Sequence, residues 1–155
     1  MAATVPAKLG ELLEALDLVD DRSQRIQLLI DIGSRFTDVP AHIATRPFGE
    51  DHRVPACESE AFVWAVSRPD GMLDFHFAVE NLQGISARAL AVILGDTLSG
   101  APLDEVAAVT DDIVYRVFGR ELSMGKSMGL TGIVAMVRNF ARRAIDSHTT
   151  RGRGS

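Results

Sequence analysis

The chain has 155 residues, 46% of them hydrophobic and 24% charged, and its formal net charge is −5. This balance predicts a single soluble globular domain and excludes an intrinsically disordered chain. An acidic chain without a basic stripe argues against nucleic acid as a partner, and a lone cysteine excludes a secreted fold built on internal disulfides.

The first third of the chain predicts two amphipathic helices followed by a loop. The first helix begins near Lys8 and carries leucines at the spacing of one helical face, Leu9, Leu12, Leu13 and Leu16. Asp20 and Asp21 can cap the second helix, whose expected buried face is Ile26, Leu29, Ile30 and Gly33, with Phe36 near its end. Residues 37–51 contain two prolines and a glycine, which favour an ordered loop.

The middle of the chain predicts a small three-stranded antiparallel sheet. We expect a short strand over residues 52–55, a second over 61–67 and a third over 72–80. A hairpin turn, Arg68-Pro69-Asp70-Gly71, joins the last two, because proline sets φ and glycine supplies a positive φ. The third strand alternates cleanly, with one apolar face of Leu73, Phe75, Phe77 and Val79. Such a sheet packs one face on a core.

The rest of the chain predicts four helices. Ser86 can cap a helix that runs through Thr97, and two short helices follow near residues 103–109 and 112–119. The last helix is expected from about residue 127 to 145. Residues 1–7 and 147–155 are expected to be flexible, which leaves an ordered core of about 8–146 within one domain, 1–155. Helices around a small antiparallel sheet indicate an α+β fold.

The side chain with the clearest chemical potential is Cys57, the only cysteine. Pro55, Glu58 and Glu60 are residues of turns and surfaces, so we expect Cys57 on a turn at the entrance of a strand. The competing interpretation is a small buried hydrophobe, the common place of a single cysteine. Phe62 and Trp64 share one face of the following strand and are expected to pack in the core.

A reactive Cys57 needs help from elsewhere in the fold, because Glu58 and Glu60 disfavour a thiolate. The candidate is Lys126 together with the start of the last helix, where unpaired N–H groups and the helix dipole favour an anion. Gly125 and Gly129 would allow sulfur to approach the backbone closely. The alternative is a solvated lysine beside glycines that only shape a turn.

Histidines offer two further possibilities. His52 or His76 could form a dyad with Cys57, as in a cysteine hydrolase, or join Cys57 and Asp51 around a metal. A surface histidine is the commoner explanation, and no metal-ligand spacing is present. The sequence also lacks a Gly-rich phosphate loop, a Gly-x-Ser-x-Gly elbow and a Cys-x-x-Cys pair. We therefore expect no metal and no resident cofactor.

Four blocks in chain order resemble the SufE family. Residues 54–59, Val-Pro-Ala-Cys-Glu-Ser, are similar to the family's Val-x-Gly-Cys-x-Ser signature, and residues 28–36 resemble its Ile-Ile-Glu-Leu-Gly-x-Arg-Leu helix. Residues 84–97 match the helix after the sheet, with Arg-Ala-Leu where members often carry Lys-Gly-Leu. Residues 126–136 resemble the late Arg-Ser-x-Gly-Leu…Ala-Met motif. The resemblance as a whole spans roughly residues 10–145.

Members of the SufE family accept persulfide sulfur from a cysteine desulfurase during iron–sulfur cluster assembly. The resemblance implies a SufE/IscU-like α+β sandwich in which Cys57 is the acceptor, Ser59 is the serine two residues on, and Lys126 takes the position of the late arginine near the cysteine loop. It also implies a SufS-like desulfurase as partner, a downstream iron–sulfur scaffold as recipient, and an accessory carrier rather than a stand-alone enzyme. The persulfide on Cys57 would be transient, and pyridoxal phosphate would belong to the desulfurase.

The sequence departs from the family pattern at several positions. Ala56 replaces the usual glycine, which restricts the loop, and Glu58 stands where glutamine is common. The family's tryptophan usually lies five residues after the cysteine, a position that Phe62 takes in this chain. Trp64 lies two positions further on. Lys126 keeps the charge of the family's arginine but loses its planar fork.

Two other functions remain open at this point. One is a one-cysteine redox enzyme that cycles through a sulfenic acid, and the other is a diverged protein-interaction module of the same fold. A cluster scaffold is excluded, because one thiol cannot hold an iron–sulfur cluster. No apolar run is long enough to cross a bilayer, and the start lacks the features of a signal peptide. We therefore expect a cytoplasmic protein with no membrane partner.

Overall fold

The computed structural model describes residues 5–153, with side chains described for residues 5–149. Six helices and two strands follow one another along this part of the chain: α1 (Ala7–Asp17), α2 (Arg22–Ser34), β1 (Ala61–Ser67), β2 (Leu73–Val79), α3 (Ile85–Leu98), α4 (Leu103–Ala107), α5 (Asp112–Phe118) and α6 (Met124–Arg153). The predicted α+β class is confirmed. Of the flexible ends that the sequence predicts, residues 1–4 and 154–155 lie outside the described residues.

β1 and β2 form an antiparallel hairpin that runs in register from Ala61 opposite Val79 to Ser67 opposite Leu73. The turn closes as predicted, because Arg68 N donates to Met72 O at 2.8 Å and Gly71 adopts a φ of 86°. A positive φ of this size strains any residue with a Cβ, so glycine is suited to the position.

The prediction of a third strand over residues 52–55 is wrong. His52 ends a short 3₁₀ helix, and after it only Arg53 bridges to Phe62 of β1. Pro55 has no N–H to donate to a ladder, and Ala56, with a φ of 55°, turns the chain away from the sheet. Pairing therefore stops after one bridge.

The two faces of the hairpin lie on different clusters. The alternating face of β2, headed by Phe75 and Phe77, packs with the helices in the main core. On the opposite face, Phe62, Trp64 and Ala78 are covered by residues of the 37–51 loop, so the sheet is packed on both sides rather than one. Burial of Phe62 and Trp64 confirms that they are core residues.

Arg46 holds the 37–51 loop against the sheet. Its guanidinium forms ion pairs with Asp38 and Glu80, each at 2.8 Å, and lies 4.7 Å from the ring centroid of Phe48. The hydrogen bonds that Arg46 donates to Asp38 and, next in effect, to Glu80 raise the pKa of Arg46 above its ordinary value. The loop is thus fastened by one cation between two carboxylates.

The buried face of α2 differs from the prediction. Leu29 and Gly33 are buried as expected, but Ile32 joins them, while Ile26 and Ile30 are exposed. Gly33 brings α2 close to α3, since a Cβ there would lie 3.3 Å from Ile85 O. This close contact fixes which side of α2 faces the core and leaves Ile26 and Ile30 outside it.

The last helix is longer than predicted. α6 begins at Met124, where Ser123 Oγ accepts a hydrogen bond from Lys126 N at 3.2 Å, as an N-cap serine does. The helix runs to Arg153, through residues expected to be flexible. The sequence predicts a start at about residue 127, too late to include the Ser123 cap, because Gly125 and Gly129 weaken the helical pattern.

His76 lies on the loop-covered side of β2, and its pKa is lowered from the ordinary 6.5. Partial burial, which disfavours the charged ring, is the main cause, while Asp74 opposes the shift and His42 adds to it. The folded protein therefore binds a proton at His76 less readily than the unfolded chain does. Stability is unaffected by this group above about pH 6.5 and falls as the pH drops below it.

We predict that His76→Gln reduces the loss of thermal stability between pH 7 and pH 5, because the unfolded chain then has one fewer proton to gain. Melting temperatures from circular dichroism across this range provide the measurement. His148→Gln, on an exposed histidine, is the control. Identical pH dependence in His76→Gln and wild type would contradict the prediction.

Candidate functional site

Cys57 is half-buried on a turn that ends immediately before β1, as the sequence predicts. Glu60 N donates to Cys57 O at 3.0 Å, which closes the turn. Ala56, which precedes Cys57, and Glu60, which ends the turn, are both left-handed, with φ of 55° and 52°. Such a conformation costs a residue with a Cβ about 1 kcal/mol or more, so the alanine in place of glycine leaves the turn under strain.

The segment that carries Cys57 lies directly on the backbone of α6. Gly125, Gly129 and Gly132, at spacings of four and three residues, form a glycine stripe on one face of the helix. A Cβ on Gly129 would lie 3.2 Å from both Cys57 Cα and Cys57 Sγ, and one on Gly132 would lie 2.8 Å from Val54 Cγ1. The close approach of sulfur to Gly129 that the sequence suggests is therefore present, whereas the role of Gly132 escaped the sequence analysis.

The connection between β2 and α3 holds the turn from its other side. Asn81 donates twice, from its backbone N to Ser59 O at 3.1 Å and from Nδ2 to Glu58 O at 3.3 Å. Ser59 also packs close to Gly84, where a Cβ would lie 3.1 Å from Ser59 Cβ. The contacts of Ser59 with this connection are thus made by its carbonyl and Cβ, which position the loop.

A groove of about 410 Å³ opens beside the thiol. Its lining comes from α2, the turn itself, the start of α3 and the first turns of α6. Cys57, Ser59 and Lys126, the three residues singled out from the sequence, all line it. Glu58 and Lys126 are its only charged lining residues within the described part of the chain. The structure therefore brings the predicted residues together around the thiol.

Exposed apolar side chains surround this groove. Ile26, Ile30 and Ile85 line it with 49%, 40% and 50% of their surface exposed. Met124 and Met128, on the first turns of α6, are also exposed. The sequence analysis missed this apolar rim, because the helical periodicity of α2 indicated a core-facing stripe at the same positions.

The histidines are engaged elsewhere. His52 Nδ1 bonds to Val63 O at 3.0 Å, and its ring stacks between Trp64 and Phe140, with centroids 5.2 Å and 6.5 Å away. His76 lies on the loop-covered side of the sheet, and neither histidine lines the groove. Among the described residues, no group of three or more His, Cys, Asp or Glu is placed to hold a metal ion. Within the part of the chain that the structure describes, neither His52 nor His76 is thus placed as a partner of Cys57.

Comparisons with known proteins give two kinds of match. The sequence model of the SufE family, described as an Fe-S metabolism associated domain, matches residues 10–141. A solution structure of a hypothetical protein from Thermus thermophilus has 25% sequence identity and a TM-score of 0.72, over 92% of this chain and 99% of that one. No curated protein matches the chain. No helix within the described residues is both long and apolar enough to cross a membrane.

The glycine stripe makes a stability prediction. Gly132→Ala places a Cβ against buried Val54, whereas Gly10→Ala in α1 meets no atom within 4 Å. Both substitutions gain about 1 kcal/mol of helical propensity, so their difference isolates the clash. We expect Gly132→Ala to be less stable than Gly10→Ala by about 1–3 kcal/mol in urea unfolding. Equal stability of the two variants would show that the segment does not rest closely on α6.

Proposed function

Because the chain belongs to the SufE family of iron–sulfur metabolism, we propose that it accepts persulfide sulfur from a cysteine desulfurase on Cys57. The observation that carries the proposal is the position of this thiol. It is half-buried on a strained turn, packs against the main core on one side, and lines a groove that is also lined by Lys126. A thiol in that place can be reached by another protein, which a core cysteine cannot.

The transfer follows the chemistry of thiol–disulfide exchange. The Cys57 thiolate attacks the terminal sulfur of the desulfurase persulfide along the S–S axis. A bond forms between Cys57 Sγ and that sulfur, the bond between the two desulfurase sulfurs breaks, and the desulfurase cysteine leaves as a thiolate. The proton on the transferred sulfur stays with it. No external oxidant or reductant is needed, because the persulfide bond is exchanged rather than created.

Lys126 supplies the positive charge of the proposed site. Its side chain is exposed and lines the same groove as the thiol, at the third residue of α6, where the helix dipole also favours an anion. Lysine is a compact point charge on a flexible stem, so it can follow the sulfur as the turn moves. Ser59 contributes by holding the turn through its carbonyl.

The apolar rim supports docking of a partner protein. Exposed Ile26, Ile30 and Ile85 beside a reactive group are characteristic of an interaction surface. In the proposal the desulfurase covers this rim, Cys57 enters its active site, and the loaded protein then passes sulfur to an iron–sulfur scaffold. The protein acts as an accessory carrier in the cytoplasm, where a free thiol stays reduced, and pyridoxal phosphate belongs to the desulfurase.

The first prediction is direct sulfur loading. Incubation with the host desulfurase, cysteine and pyridoxal phosphate should add one sulfur atom to the intact mass in the absence of reductant, and desulfurase turnover should rise. Cys57→Ser should show neither effect, since no other cysteine is present.

A negative result in this test would favour one of two other functions, depending on what is observed. A lack of added sulfur with an unchanged turnover rate would contradict the proposal, and formation of a sulfenic acid on Cys57 by peroxide would then favour the redox enzyme. Full stimulation of the desulfurase by Cys57→Ser would instead favour an interaction module that uses the groove without the thiol.

The second prediction concerns the apolar rim. The double variant Ile26→Thr/Ile30→Thr should raise the protein concentration needed for half-maximal desulfurase stimulation by about tenfold, because about 1.4 kcal/mol of apolar contact is lost. Val66→Thr, an exposed position at the hairpin end of β1, is the control and should have no effect. Equal effects of the rim and control variants would remove the rim from the docking surface.

A further inference from the structure

Glu58 lies against the first turn of α6. A Cβ on Gly125 would overlap Glu58 Oε1 and lie 2.8 Å from Glu58 Cδ, so the carboxylate fills the space that a side chain on the second residue of the helix would need. The backbone of Glu58 is fixed by Asn81, whose Nδ2 donates to Glu58 O at 3.3 Å. The fold therefore holds the backbone from which the carboxylate reaches Gly125.

Glu58 occupies a place that favours an anion. The first turn of a helix presents N–H groups without helical partners and the positive end of the dipole. In α6 the Ser123 hydroxyl accepts from one of these groups, Lys126 N, and no acidic residue of α6 itself stands in that turn. The sulfur of Cys57 lies one turn further along, against Gly129. Two potential anions thus lie on the first two turns of one helix.

We propose that Glu58 is a positioning residue that restrains the resting thiol by occupying the N-terminal turn of α6. While the carboxylate is in place, it occupies the helix terminus that would otherwise stabilise a thiolate or a persulfide anion. Activation then requires Glu58 to leave Gly125, which frees the helix terminus and Lys126 for sulfur. The inference rests on the proposed function for its biological meaning, but the restraint itself is a property of the isolated protein.

The charged groups around Cys57 are few, which makes the effect of Glu58 separable. Glu58 comes from the turn and Lys126 from α6, while α2 and the start of α3 contribute only uncharged side chains to the groove. Glu58 and Lys126 form no ion pair within the described part of the chain, and both are exposed. Removal of the Glu58 charge should therefore change the reactivity of the thiol directly.

The test is alkylation of Cys57 in the full-length protein, without any desulfurase. Glu58→Gln keeps the size of the side chain and removes its charge, and Gly125→Ala keeps the charge and displaces the carboxylate from the helix. We expect each variant to react about threefold faster or more with iodoacetamide at pH 7, and the midpoint of its pH–rate profile to move to lower pH. The alkylation rate should increase more with anionic iodoacetate than with uncharged iodoacetamide.

The controls separate charge from structure. Glu14→Gln removes an exposed carboxylate on α1 that does not line the groove, and Gly10→Ala repeats the glycine substitution on the same helix. Both should react as wild type does. The double variant Glu58→Gln/Gly125→Ala should react little faster than either single variant, because the two changes remove the same contact. The inference is overturned if Glu58→Gln reacts no faster than Glu14→Gln, or if Gly125→Ala leaves the rate unchanged. A protein that accepts no sulfur but shows these alkylation rates would contradict the proposed function and leave the restraint standing.

Discussion

The contact between the Cys57 segment and the glycine stripe of α6 is the constraint on which the site depends. Because Gly129 and Gly132 have no side chains, the chain from Val54 to Cys57 can lie on the helix backbone itself. That contact sets the thiol beside the helix N-terminus, and it places Lys126 on the same groove. Without the glycines the turn would be lifted from α6, and thiol, cation and helix terminus would no longer meet.

Charge and backbone strain act together at this site. The turn is held in two left-handed conformations at Ala56 and Glu60 and is fastened by hydrogen bonds from Asn81. Residues in such conformations persist where the surrounding structure fixes them, and they are concentrated at functional sites. Two of the departures from the family pattern, Ala56 and Glu58, thus lie at a strained residue and at the helix terminus. Both act on how the thiol rests rather than on whether it is present.

Much of the fold follows from local patterns in the sequence. The alternation of β2, the turn at Asp70-Gly71 and the short helices α4 and α5 depend on neighbouring residues, and each forms where it is predicted. The prediction of a third strand is wrong because Pro55 and Ala56 end the pairing with β1 after one bridge. The proline is visible in the sequence, but the left-handed conformation of Ala56 is not.

The site was predictable only in part. Cys57, Ser59 and Lys126 could be named because motifs resemble those of the SufE family, and the structure brings all three to one groove. Ile26 and Ile30 could not be recognised as surface, since helical periodicity does not distinguish a core stripe from a docking stripe. The contact of Glu58 with Gly125 joins residues far apart in the chain, and only the packed structure reveals it.

Transfer of sulfur in a single turnover tests the central claim most directly. A desulfurase preloaded with radiolabelled persulfide, freed of cysteine by gel filtration, would be mixed with the protein and resolved by non-reducing electrophoresis. The account predicts that the label moves to the wild-type chain within one turnover and stays on the desulfurase when Cys57→Ser is used. Label that remains on the desulfurase with the wild-type chain, or that moves equally to Cys57→Ser, would contradict it.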